Sequence, residues 1–261
     1  MSNSGHETTG ENKRGTFPTT HWSKVFNAQS GDEPRRQLAL EGLLEMYWKP
    51  VYCYIRCKGY PTEEAKDLTQ GFFHEIVLGR GLIQQADGER GRFRTFLLKC
   101  LNRYLADVFR TERTKRRMPA GGLVSLETVN WAKAPEPVHH TTALEAFDYA
   151  WACSLLDKVL AEVETKCREK GIATQWELFR AKVLEPIRDD VDPPSLEHLC
   201  EKYGIPDRAT ASNLIFTVKR QFRALLRRHV RQLVDSDAEV DDEIRQLIAI
   251  FSRTAAISSP D

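Results

Sequence analysis

Two segments of this 261-residue chain concentrate arginine and lysine, whose side chains bind phosphate groups. Residues 90–117 hold ten basic and two acidic residues, a net charge of +8, and residues 208–231 hold seven basic residues and no acid. Guanidinium and ammonium groups neutralise phosphates and release counterions, which gives affinity for nucleic acid without reading its sequence. The pattern therefore predicts two surfaces that contact nucleic acid.

The net charge of the whole chain is only +1, which taken alone argues against nucleic-acid binding. The total is a cancellation, because the segment Asp235–Glu243 contains six acidic residues and no basic one. An amphipathic stretch follows it, with Ile244, Leu247, Ile248 and Phe251 at helical spacing. We expect a solvated extension here; the alternative is that this tail covers the basic segment 208–231 within the same molecule.

The second basic segment lies in a pattern typical of a helix-turn-helix. Leu196, Leu199 and Tyr203 form the apolar stripe of a first helix, and Gly204 allows a turn before a second helix with apolar residues from Leu214 to Leu226. Side chains on the outer face of the second helix could contact base edges, and arginines farther along could follow the phosphate backbone. The candidate DNA-binding residues are Arg208, Ser212, Asn213, Phe216, Thr217, Arg220 and Arg223, with Arg227 and Arg228 along the backbone.

Other kinds of site have little support in the sequence. No G-K-[ST] phosphate loop, Ser/His/Asp arrangement or paired carboxylates stand out, so we expect neither an enzyme nor a bound cofactor. The six cysteines are scattered and predict thiols; a zinc site built from Cys53, Cys57, His139 and His140 is less favoured than ordinary packing. No metal site is therefore predicted. A polar start and the lack of a long apolar run predict a cytoplasmic protein without a membrane segment.

The elements that would position these side chains are all helices, since no stretch alternates with period two. A first helix contains Leu40 to Ile55, is kinked or divided by Pro50, and ends at Gly59. A second begins at Thr62, and a third places residues from Phe93 to Phe109 on one side, so that most of its phenylalanines pack the core. Later helices span 144–163, 176–184 (ending before Pro186), 195–203 and 210–231.

We therefore predict an all-α protein with two helical domains joined by a flexible linker. The predicted divisions are a disordered tail at 1–16, a first domain at 17–117, a Pro- and Gly-containing linker at 118–142, a second domain at 143–233 and an acidic extension at 234–261.

Three stretches in this order resemble the extracytoplasmic-function (ECF) group of bacterial RNA polymerase sigma factors, over about residues 20–233. The first is YWKPVYCYIRCKGYPTEEAKDLTQGFF, which is similar to the polymerase-binding part of sigma region two and contains its D-L-x-Q motif. The second is GRFRTFLLKCLNRYLADVFRTERTKRR, which is similar to the part that melts and reads the minus-ten promoter element. The third is SLEHLCEKYGIPDRATASNLIFTVKRQFRALLRRHV, which is similar to region four, whose helix-turn-helix reads the minus-thirty-five element.

The resemblance implies a sigma factor that binds core RNA polymerase and directs promoter recognition and melting. It implies promoter DNA, both duplex and melted strand, as a partner, and it allows an anti-sigma factor as another. The polymerase-binding residues it implies are Asp67, Gln70 and His74. The implied minus-ten contacts are Arg92, Arg94, Lys99, Asn102, Arg103, Arg110 and Arg113.

One alternative function stays open at this point. A stand-alone helix-turn-helix transcription regulator would bind DNA by itself and never engage polymerase. The helix that carries Asp67 and Gln70 discriminates between the two, because a plain regulator does not need it.

Overall fold

The structure is a computed structural model, and it describes residues 33–74, 93–113, 131, 135, 142–234 and 236–258. The predicted tail at 1–16 and nearly all of the predicted linker at 118–142 lie outside these residues. Within them the backbone forms helices and no strand, so the prediction of an all-α protein is confirmed.

The helices of the described residues follow one another along the chain. They are α1 (Glu33–Cys57), α2 (Thr62–Gly71), α3 (Phe93–Arg113), α4 (Ala143–Glu169), α5 (Ala173–Phe179), a π-helical turn (Arg180–Leu184), α6 (Glu185–Asp189), α7 (Leu196–Tyr203), α8 (Arg208–Arg231) and α9 (Ala238–Ser258).

Pro50 lies inside α1, which continues without a break. Of the two predicted outcomes, a kink or a division at Pro50, the division is wrong. A proline inside a helix removes an N–H donor and crowds the preceding turn, at a cost of about 3 kcal/mol. The turns around it are buried, with Val51 and Ile55 fully enclosed, and tertiary packing offsets that cost. The helix ends as predicted near Gly59, which has a φ of +94°.

Pro186 does not end a helix either. The prediction of a stop before it is wrong, because the chain passes from α5 through the π-helical turn into α6, with Pro186 in the first turn of α6. In a first turn the missing N–H would have had no partner in its own helix, so proline is tolerated there. The helical backbone ends only at Asp190, which adopts a left-handed conformation with a φ of 50°.

The helix α4 begins with a reciprocal pair of hydrogen bonds. The Thr142 hydroxyl accepts from the Glu145 backbone N–H at 3.2 Å, and the Glu145 carboxylate accepts from the Thr142 backbone N–H at 2.9 Å. These hydrogen bonds, the backbone one first, lower the pKa of Glu145. The arrangement satisfies N–H groups that the start of a helix leaves without partners.

The helix α4 lies at the centre of the fold. It packs along α1 and also contacts α5, α8 and α9, and Trp151 and Phe147 on it are almost fully buried. The rings of Phe147 and Tyr54, from α1, meet edge to face at 6.4 Å. Helices from both predicted domains thus share one apolar core. The division into 17–117 and 143–233 stays a prediction.

The helices α2 and α3 complete the packing around α1. The rings of Phe72 and Tyr104 lie 5.7 Å apart, and those of Tyr47 and Phe93 lie 5.3 Å apart. Leu97, Leu101 and Leu105 of α3 are buried, in agreement with the predicted apolar side of this helix. Phe109 differs from the prediction, since 56% of it is exposed.

The acidic C-terminal segment forms the helix α9, which packs on α4 and α8. Val240, Leu247 and Ile250 are buried, and the ring of Phe251 lies 5.7 Å from that of Tyr149. The expectation of a solvated extension is therefore wrong. Residues at i, i+7 and i+10 lie on one side of a helix, and burial of that apolar side draws the segment onto the core.

Candidate nucleic-acid interface

Three local features define the helix α7 and the turn that leads from it to α8. The Ser195 hydroxyl accepts from the His198 backbone N–H at 3.1 Å and caps the start of α7. At the end of α7, Gly204 takes a left-handed conformation with a φ of 65°, which glycine adopts without a steric penalty. The backbone N–H of Ile205 then donates to the Cys200 carbonyl at 2.9 Å.

Asp207 starts α8. Its carboxylate accepts from the Thr210 backbone N–H at 2.7 Å and from the Thr210 hydroxyl at 3.0 Å. The backbone hydrogen bond, followed by the hydroxyl one, lowers the pKa of Asp207. Arg208 in the first turn of α8 forms an ion pair of 2.8 Å with Glu197 on α7, which ties the two helices together.

The first two thirds of α8, from Arg208 to Arg223, have one buried and one exposed face. Ala211, Ile215 and Val218 are buried against the rest of the fold. The residues that the sequence assigned to the outer face lie on the opposite side: Ser212, Asn213, Phe216, Arg220 and Arg223 are exposed and Thr217 is half-buried. The structure thus brings the predicted readout residues together on one surface.

The last two turns of α8 are engaged with acidic residues from two other helices. Glu162 on α4 contacts Arg228 and accepts a hydrogen bond of 2.8 Å from His229. Asp241 on α9 pairs with Arg227, and Asp237 just before α9 pairs with Arg231. The arginines near the C-terminal end of α8 are therefore paired with acids of the same molecule.

Glu162 is the centre of a cluster that sequence reasoning missed. Its burial acts to raise its pKa, but hydrogen bonds from His229, Arg228 and Lys166 outweigh that effect and lower the pKa to about 2. Burial lowers the pKa of His229, although its bond to Glu162 acts the other way. Because a carboxylate can only accept, the Nε2 of His229 donates this hydrogen bond. An acid among the polar positions of a long helix gives no sequence signal of this role.

The first basic segment, residues 90–117, supplies the outer face of α3. Lys99, Asn102, Arg103 and Arg110 are exposed, and Arg110 lies 3.7 Å from Asp107 on its own helix. The amide of Asn102 is held in place, because its oxygen accepts from the Tyr54 hydroxyl at 2.7 Å and its nitrogen donates to the Leu98 carbonyl at 2.9 Å.

The remaining predicted contacts of this segment are placed differently. Arg92 lies outside the described residues, as does the side chain of Arg113 at the end of α3. Arg94 is mostly enclosed: only 12% of its side chain is exposed, and its guanidinium pairs with Glu243 of α9. The guanidinium also donates to Gln246 at 3.2 Å and lies 4.4 Å from the ring centroid of Trp151. In this arrangement Arg94 is turned into the protein.

Glu243 is the other residue that sequence reasoning missed. It is 1% exposed and lies on the same side of α9 as Val240, Leu247 and Ile250. A charged residue on an apolar stripe is the signal that could have identified it, because a buried carboxylate requires a partner.

The helix α2 carries two of the predicted polymerase-binding residues, Asp67 and Gln70, and His74 follows in the helical turn just after it. Asp67 is exposed, and Gln70 and His74 are half-buried. Ala65, Leu68 and Thr69 form the buried side of the helix, and the Thr69 hydroxyl donates to the Ala65 carbonyl at 2.7 Å.

Among the described residues, no group of three or more His, Cys, Asp or Glu side chains is arranged to hold a metal ion. Within the same part of the chain, no helix combines the length and the apolar character needed to cross a bilayer.

Comparison with known proteins leaves the chain without an assigned family: no family model, curated protein or solved structure matches it.

Proposed function

We propose that this protein is an RNA polymerase sigma factor of the ECF type, which binds core polymerase, directs it to promoters and assists strand opening. The observation that carries the proposal is the outward face of the first two thirds of α8, in a helix-turn-helix whose other face builds the core. Asn213 and Arg220 offer hydrogen-bond donors suited to base edges in a major groove, and Arg223 offers a cation for phosphate.

The outer face of α3 supports a second DNA contact. Lys99 and Arg103 are exposed one helical turn apart, and the oriented amide of Asn102 lies beside them. The exposed ring of Phe109 gives an unpaired base a surface on which to stack. Cations beside an exposed aromatic ring suit the melted strand of the minus-ten element.

The helix α2 supports a contact with the polymerase. Its apolar side is anchored in the fold, while Asp67 is exposed and Gln70 lies one turn farther along on the neighbouring position. A carboxylate and an amide at i and i+3 form one small polar surface that a basic partner can recognise.

The decisive experiment adds the purified full-length protein to core RNA polymerase and measures binding and promoter-dependent transcription. Promoters come from transcripts that rise when the protein is overexpressed. We expect core binding and new start sites. Failure to bind core, together with binding to duplex DNA by the protein alone, would contradict the proposal.

The double variant D67R/Q70R tests the polymerase surface. We expect it to weaken core binding at least tenfold while the fold stays intact, because the added positive charges repel the basic surface that Asp67 and Gln70 would meet. E169R is the matched control, since Glu169 is an exposed acid at the end of α4, away from α2. Equal core affinity of D67R/Q70R and E169R would remove this helix from the proposal.

One observation favours a second candidate, a helix-turn-helix regulator that acts without polymerase. Because α1, α4 and α8 share a continuous core, the helix-turn-helix belongs to one compact body, which suits binding at a single DNA site. Such a regulator would shift a specific duplex alone, and D67R/Q70R would leave its activity unchanged.

A further inference from the structure

The helix α9 joins the two basic helices. Glu243 pairs with Arg94 at the start of α3, while Asp241 and Asp237 pair with Arg227 and Arg231 at the end of α8. Each of these acids thus forms an ion pair with an arginine that belongs to one of the two segments rich in basic residues.

The pairs differ in how firmly they hold. Arg227 and Asp241 are each more than half exposed, and an exposed pair is easily exchanged for a phosphate. Arg94 and Glu243 are enclosed, and Trp151 lies against the guanidinium. Separation of a buried pair leaves a charge without a partner unless both groups reach solvent together. The Arg94–Glu243 pair therefore opposes separation of α9 from α3 more strongly than the exposed Arg227–Asp241 pair opposes separation of α9 from α8.

We propose that α9 is an autoinhibitory clamp, which pairs with Arg94 of α3 and with Arg227 and Arg231 of α8 and must detach before these cations meet DNA phosphates. The inference rests on the proposed function for its role, although the clamp itself can be tested without polymerase. Detachment frees Arg94, Arg227 and Arg231 for phosphate.

The first test uses two neighbouring acids of α9 and a mixed-sequence duplex of 30 base pairs. Asp241 pairs with Arg227 of α8, whereas Asp242 pairs with Arg245 of its own helix. D241N and D242N remove the same charge and each frees one arginine, so their difference reports whether that arginine is Arg227 on α8 or Arg245 on α9. We expect D241N to bind up to about eightfold more tightly than D242N at 0.1 M salt, with a salt slope steeper by about one. Equal affinities and slopes would overturn the clamp.

The second test measures hydrogen exchange of the α9 amides in the full chain. We expect E243Q to raise exchange across α9 at least tenfold relative to D242N, because the guanidinium of Arg94 loses the negative charge of its buried partner. In the unaltered protein, core polymerase with promoter DNA should raise α9 exchange as well. Should E243Q fail to fold, the comparison of D241N with D242N and the exchange of the unaltered protein still decide.

The outcomes separate the clamp from the proposed function. If the protein does not bind core polymerase but D241N exceeds D242N and E243Q loosens α9, the sigma function fails and the clamp stands. If the protein binds core polymerase and initiates transcription while α9 stays fully protected, the clamp is overturned and the sigma function stands.

Discussion

Two parts of α8, the part up to Arg223 and the last two turns that follow it, both contain arginines but differ in what those arginines contact. In the part of α8 up to Arg223, Arg220 and Arg223 have no ion-pair partner among the described residues and are exposed, as Asn213 is. In the last two turns, Arg227 and Arg228 are paired with acids from α9 and α4. An arginine becomes available for DNA or becomes part of the fold according to which helix packs beside it.

The largest effect should come from the part of α8 up to Arg223. We expect N213A and R220A each to weaken use of the upstream promoter element by about 1–3 kcal/mol, because each removes donors to a base edge. Competition between promoters in a transcription assay measures the loss. The free energy of unfolding should change by less than about 0.5 kcal/mol, since both residues are exposed.

R227A provides the matched arginine from the last two turns of α8. If it disturbs promoter selection as strongly as R220A does, the distinction between the two parts fails.

A substitution of Glu162 should lower the stability of the protein and leave promoter selection unchanged, which is the opposite of the result expected for N213A and R220A. We expect E162Q to lower the free energy of unfolding by about 2 kcal/mol, because Arg228 and His229 lose a charged acceptor. Denaturant unfolding followed by circular dichroism measures this change. Base discrimination by the helix-turn-helix should be retained, and a large change in promoter selection without a loss of stability would contradict the structural role.

The contribution of Glu162 should also depend on pH. Its pKa is lowered to about 2 in the folded protein from an ordinary value of 4.5, so folding favours the ionised form. Its stabilisation is fully present above pH 4.5 and is lost as the pH falls towards 2. The difference in unfolding free energy between the unaltered protein and E162Q should shrink over this range; a difference that stays constant from pH 6 to 3 would be inconsistent with the lowered pKa.

The smallest effect concerns the entry to α8. We expect D207A to lower the free energy of unfolding by about 1 kcal/mol, because the Thr210 N–H loses its capping acceptor. Thermal unfolding measures it. D207N is the control, since asparagine can also cap a helix start, and an equal loss in both variants would mean that the charge of Asp207, not its cap, is what matters.

Local information was enough to predict most helices and the orientation of their faces. The outward positions of Ser212, Asn213 and Arg220 followed from the apolar spacing of α8, and Gly204 was predicted at the turn it forms. The errors occurred where distant packing outweighed a local preference. Pro50 sits within an unbroken helix because buried turns surround it, and the acidic tail packs because its apolar stripe finds a place on α4 and α8.

The sequence by itself determined an all-helical chain, the faces of its helices and the two segments rich in basic residues, because helical periodicity and capping depend on residues within a few positions of one another. Only the tertiary structure decided which cations meet solvent. Arg94 and Glu243 are 149 residues apart in sequence, and nothing near either residue specifies the other. Ion pairing depends on distance and burial, and both are set by the packing of whole helices.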